Sequence, residues 1–203
     1  MSRQVRCCPC GCPEKPVTAL VPAATLGQTT AAYPTFFVYV PPTFAQNAEF
    51  VLFDEDDNLL YETTVNVAGR SGIIKLDFPV ENIPPLELSK NYIWEFGLVC
   101  NPDDRSGDLS VMGWIERVEM DPSLKNQLEQ APLEARAPIF AGAGLWYDTL
   151  AVLAELRKKG PENSIFASQW AELLESVGLE TYSPEPLERY NPNPPEQIGW
   201  GGC

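Results

Sequence analysis

The hydrophobic period of this chain changes once, and that change limits the folds open to it. From Val17 to Glu119 the period is mostly two, in seven runs: "VTALVP", "TFFVYVP", "AEFVLF", "LLYETTVNV", "GIIKLDF", "NYIWEFGLVC" and "DLSVMGWIERV". Each run is rich in β-branched and aromatic residues and is bounded by Pro, Gly, Asn or Asp, the signature of short strands joined by turns. This spacing predicts an all-β, immunoglobulin-like antiparallel sandwich over residues 17–120. In "NYIWEFGLVC" the alternation places Trp94 and Phe96 on the face turned to a core.

After Met120 the period becomes helical. Asp121 is a capping residue followed by Pro122 at the first helical position, and "PSLKNQLEQA" supplies a short helix. "GLWYDTLAVLAELRKKGP" spaces Trp146, Leu150 and Leu153 for one helical face and ends in lysines, Gly160 and Pro161, as a helix C-terminus does. Phe166, Trp170, Leu173, Leu174 and Val177 mark a further helix closed by Gly178. Pro138 and Gly142 predict a break or kink in the segment between. The two helices flanking "KKGPEN" read as a hairpin like one tetratricopeptide unit. A lone unit cannot bury both faces, so its apolar side is expected to pack on the sandwich, the favoured reading, or on a partner. The domain reading is therefore a Cys-rich leader at 1–16, the sandwich at 17–120, an α-helical appendage at 121–182 and a Pro-rich flexible tail at 183–203.

Charge and composition remove whole classes of function. The net charge of −14 over 203 residues repels a phosphate backbone, so no nucleic acid partner is expected. Histidine is absent, which removes Ser-His-Asp and Cys-His nucleophile pairs, His-ligated zinc and imidazole acid–base chemistry. No glycine-rich phosphate loop is present, and no cofactor is expected. No apolar run reaches the length of a membrane span, and "MSRQVRCCPCGCPEKP" lacks the apolar centre of a secretion signal.

Carboxylate and thiolate chemistry survive this filter. Asp54, Asp56 and Asn58 copy the first spacings of a calcium loop, but the sixth position is not glycine and the twelfth is Val65, so a tight turn is the favoured reading. Asp103, Asp104 and Asp108 in "NPDDRSGD" offer a carboxylate pair for a polysaccharide hydrolase. The same residues make a natural loop, with Arg105 placed to pair with Asp103 or Asp108. Cys7, Cys8 and Cys10 are dense enough for a soft metal ion, although too tightly spaced for the usual zinc pairs. Cys12 and Cys100 border ordered segments, and a disulfide between them would staple the leader to the sixth of the seven runs.

The motifs "AEFVLFDEDDN", "YETT", "DRSGDLSVMGWIERV" and "GLWYDTL" resemble the DUF928 family of cyanobacterial proteins, a domain of unknown function. The likeness spans roughly Cys12 to Leu179, and its densest motif carries Asp103, Asp104, Arg105, Asp108, Trp114 and Arg117. It implies a usually exported protein and two cysteines matching Cys12 and Cys100, and it implies no activity. Members usually begin with a secretion signal, whereas this chain begins "MSRQVRCCPCGC". The resulting expectation is a non-enzymatic interaction or structural module of the cell envelope with a protein partner. The alternatives are carboxylate-dependent polysaccharide hydrolysis and thiolate metal binding.

Overall fold

The computed structural model describes residues 10–11, 13–23 and 26–190. Strands β1 (Thr18–Ala19), β3 (Phe36–Val40), β6 (Gly72–Leu76) and β9 (Leu187–Tyr190) form one sheet in that order. The larger sheet runs β2 (Gly27–Thr29), β8 (Leu109–Arg117), β7 (Lys90–Val99), β4 (Asn47–Asp54), β5 (Leu59–Asn66). Each of the seven alternating runs supplies one strand, and β2 and β9 are additional.

Both sheets are mixed, which corrects the antiparallel expectation: β2 lies parallel to β8, and β9 parallel to β6. Connectivity is the reason. β1 lies in the smaller sheet and the next strand, β2, in the larger one, and β9 returns to the smaller sheet only after the helices, the long crossover that a parallel pair requires.

The two sheets face each other across an aromatic core. The Phe36 ring lies 4.9 Å from Phe50 and 5.2 Å from Trp94 on the opposite sheet. All five residues of β3 are buried, because its other face carries Phe37 against Trp170, with ring centroids 6.2 Å apart. Helices therefore form a third layer on the smaller sheet.

Those helices are α1 (Pro122–Gln130), α2 (Leu133–Gly142), α3 (Trp146–Lys159) and α4 (Ser164–Glu175). The Asp121 carboxylate caps α1 by accepting from the Ser123 and Leu124 amides, and Asn163 caps α4 through the Ile165 amide. The expected break falls after the proline: α2 runs through Pro138, ends at Gly142, and Gly144 at φ +76° turns the chain into α3.

The core continues across Met120. Trp146, Tyr147, Leu150 and Trp170 belong to the same buried cluster as Phe36 and Trp94. The Trp94 indole N–H donates to the Tyr147 hydroxyl at 2.8 Å, which donates to the Trp114 carbonyl at 2.9 Å, and the Trp146 indole donates to the Leu20 carbonyl at 2.9 Å. Two strand glycines permit this approach. A Cβ on Gly113 would stand 2.6 Å from the Trp94 indole, and one on Gly27 would stand 2.6 Å from the Tyr147 ring.

The flexible tail expected from Ser183 is corrected in its first part. Leu187 to Tyr190 pair with Ile73 to Leu76, and the Tyr190 hydroxyl donates to the Thr64 carbonyl on β5 at 3.1 Å. Proline density signals irregular chain, but the open edge of β6 needs only four consecutive main-chain groups to accept a strand. Residues 191–203 lie outside the described residues.

Candidate functional site

The carboxylate-rich motif forms the turn between β7 and β8, and its polar groups are occupied by one another. Arg105 makes a two-pronged contact with Glu49 on β4, at 3.1 Å from Nη1 and 2.7 Å from Nη2, while its Nε donates to Asp108. The other Asp108 oxygen accepts the Cys100 amide at 2.9 Å. Asp104 accepts the Ser106 amide at 3.1 Å and caps the short 3-10 turn Arg105–Gly107; hydrogen bonding from Ser106 holds its carboxyl below the ordinary range. Asp103 is exposed, and its amide donates to Asn101 Oδ1 at 3.0 Å. Bonds to Glu49 first and Asp108 second raise the Arg105 pKa further, so it is a fixed cation. Glu49 is the member that sequence reasoning missed, since it lies 56 positions away and only strand pairing brings it close.

A carboxylate general acid needs a raised pKa in a water-poor cleft and reach to a substrate proton. Asp104 is exposed with its pKa lowered, and Asp108 and Glu49 already hold Arg105. What this arrangement does chemically is brace a loop. Arg117, at the far end of β8, donates from Nη1 to the Leu86 carbonyl at 2.6 Å and from Nε to the Thr30 carbonyl at 3.4 Å, another tie between segments.

The loop after β4 is a second self-contained turn. Asp54 Oδ1 accepts the amides of Asp56 and Asn58 at 3.0 and 2.9 Å, and hydrogen bonds from Asn58, chiefly its side chain, lower the Asp54 pKa. The two acidic loops sit at opposite ends of β4, because Asn47 pairs with Val99 and Asp54 with Tyr92. Seven residues of extended chain separate those pairs by about 23 Å at roughly 3.3 Å each.

Cys100 is bonded to Cys10, with Cα atoms 4.7 Å apart, which corrects the Cys12 pairing. The Cys10 carbonyl accepts the Thr43 hydroxyl at 2.9 Å and the Phe44 amide at 3.3 Å, and these bonds hold residue 10 just ahead of β4, beside the end of β7. Cys7, Cys8 and Cys12 lie outside the described residues. Within the disulfide Cys10 has no thiolate to offer a metal, which removes it from the Cys7, Cys8 and Cys10 set. Among the described residues no group of three or more His, Cys, Asp or Glu is placed to hold a metal ion.

The outward face of the larger sheet is different in character. Trp114 pairs with Ile93, Ile93 with Phe53, and Phe53 with Leu59. The parallel register Gly27 to Ile115 sets Leu26, just ahead of β2, beside Trp114, so one apolar row crosses β8, β7, β4 and β5 and continues to Leu26. Trp114 is 47% exposed and Leu59 55%, and Met112 beside the row is 57% exposed. Carboxylates flank it: Glu95 opposite Met112, Glu62 opposite Val51, and Glu116 opposite Asn91. Alternation identifies these positions as outward-facing, whereas only cross-strand register aligns them.

The family model described as Domain of Unknown Function (DUF928) matches residues 1–187. The chain belongs to the DUF928 family. No curated protein and no solved structure matches it. The DUF928 match runs past the helices to the first residue of β9, so strands and helices are matched as one unit, as the shared core requires.

Proposed function

We propose that this DUF928 chain is a non-enzymatic module that binds a polypeptide through the outward face of its larger sheet. The observation that carries the reading is the apolar row Leu26, Trp114, Ile93, Phe53 and Leu59, set among carboxylates. Leaving large apolar side chains in water costs free energy that burial in an interface recovers, and an aromatic centre with a polar rim is the usual anatomy of such an interface. Strand order supports an immunoglobulin-like scaffold: β1, β3 and β6 stand where strands A, B and E stand, and β8, β7, β4 and β5 follow the order G, F, C, C′. The fourth place of the smaller sheet goes to β9 instead of a strand D. The α3–α4 pair is a tetratricopeptide-like hairpin whose Trp170 side rests on that smaller sheet, which leaves the larger sheet's outer face for the partner. A location outside the cytoplasm, in the cell envelope, accords with the Cys10–Cys100 disulfide, since reducing compartments disfavour such bonds.

The test places a photo-crosslinking residue at Met112 in the full chain, expressed in its own host, with and without Trp114→Asp. A discrete crosslinked polypeptide that disappears with Trp114→Asp is expected. Identical crosslinks in both forms, or none in either, would remove the sheet face as the binding surface.

A further inference from the structure

The outward face of the larger sheet offers a partner side chains and no main chain. β7 lies between β8 and β4, and β4 between β7 and β5, so both strands bond their N–H and C=O groups to neighbours within the sheet. Trp114, Ile93, Phe53 and Leu59 stand opposite one another across these four strands, and at roughly 4.8 Å per strand the row is about 14 Å long. A second row, two residues away along β8, β7 and β4, alternates Met112, Glu95, Val51 and Glu62. Two strand spacings separate Glu95 from Glu62, about 10 Å. Glu116 lies on the other side of Trp114, opposite Asn91. Neither row holds a Lys or Arg, and among the described residues no cation pairs with Glu62 or Glu95.

We infer that the occupant of this face is an amphipathic α-helix of the partner, laid along the row and across the strands, with Lys or Arg beside its apolar stripe. The inference rests on the reading that this face binds a polypeptide, and it supplies the partner's conformation and charge. An extended segment pressed on the row would bury main-chain groups that the sheet cannot bond, whereas a helix bonds its own. The dimensions agree. A helix covers about 14 Å in roughly ten residues, and its turn of about 5.4 Å is close to one strand spacing. Apolar residues at i, i+3 or i+4, and i+7 therefore meet the row strand by strand. Basic residues seven apart on one flank stand about 10.5 Å apart along the axis, a match to the spacing of Glu95 and Glu62. They would neutralise two carboxylates that the chain itself leaves uncompensated. A second copy of this chain fits poorly, because it would bring the same carboxylates and a further net charge of −14 against this face.

The experiment selects a displayed random-peptide library on the full, disulfide-bonded chain, with counter-selection on Trp114→Asp and, should that variant fold poorly, on Met112→Asp. Enriched peptides are expected to carry apolar residues at helical spacing with Lys or Arg beside them, and to gain helical circular dichroism on binding. Proline placed centrally on a peptide's polar side should weaken binding about 100-fold by breaking the helix, while a covalent i to i+4 staple on that side tightens it. Glu62→Lys combined with Glu95→Lys should weaken binding about tenfold or more and flatten its salt dependence. If Trp114→Asp abolishes binding but neither the staple nor the central proline changes it, the surface stands and the helix is wrong. Acidic or uncharged selected peptides, or unchanged affinity in the double lysine variant, would overturn the charge assignment. A dimer in sedimentation that dissociates with Trp114→Asp would put a second copy on the row in place of the helix. Peptides that bind wild type and Trp114→Asp equally, or no enrichment at all, would overturn the binding surface itself.

Discussion

Tyr147 shows how one side chain joins the helices to the sheets. Its hydroxyl is the acceptor for the fully buried Trp94 indole and the donor to the Trp114 carbonyl. Tyr147→Phe leaves both groups without a partner and should cost about 1–3 kcal/mol in urea unfolding. Burial raises the Tyr147 pKa above its ordinary value of 10.0, with the Trp94 bond acting in the opposite direction. The folded chain keeps this proton after the unfolded chain has lost it. The contribution is therefore whole below about pH 10 and falls as pH rises toward the folded-state pKa, by about 1.4 kcal/mol per unit. Unfolding series on either side of that pH should show a shallower alkaline decline in Tyr147→Phe than in wild type; equal slopes would mean that another group carries it. Trp94 as a core residue was legible from alternation alone. Tyr147 was not, because helical spacing marks a buried face without naming what it touches.

Among the elements, the β7–β8 turn and β9 behave in opposite ways. Arg105 links the turn to β4, but its guanidinium is about half exposed and its Glu49 partner about one-third exposed, where ion pairs contribute little to global stability. Arg105→Met should leave the melting temperature nearly unchanged while amide exchange at Cys100 and Ser106 quickens, as a loop that opens locally would show. β9 is short yet committed to the core: Tyr190 is buried and bridges to Thr64. Tyr190→Ala should destabilise the chain by about 3 kcal/mol or more, where a residue in a mobile tail would give almost no change. The turn was readable from "NPDDRSGD", since Asn, Asp and Gly bond their own main chain. β9 was hidden because "LERY" is too short for periodicity to register and is ringed by prolines.

At the scale of the whole molecule, the Cys10–Cys100 bridge closes a separation of 90 residues. A loop of that length corresponds to about 4 kcal/mol of lost denatured-state freedom, so Cys100→Ser and reduction of the wild type should lower stability by similar amounts near that size. Cys12→Ser should leave it unaltered; a loss equal to that of Cys100→Ser would return the bridge to Cys12. Sequence by itself determined the order of the fold, strands before Met120 and helices after it, because side-chain period and helix caps act within a few residues of each other. It also determined that the two acidic stretches are turns, and it carried the motifs of the DUF928 family. Tertiary structure alone decided which sheet each strand joined, that β2 and β9 run parallel to their neighbours, and that Cys10 meets Cys100. It also set Leu26, Trp114, Ile93, Phe53 and Leu59 in one row. Each of those outcomes depends on register between segments far apart in the chain, and register is fixed by burying two faces at once, a constraint that no single segment contains.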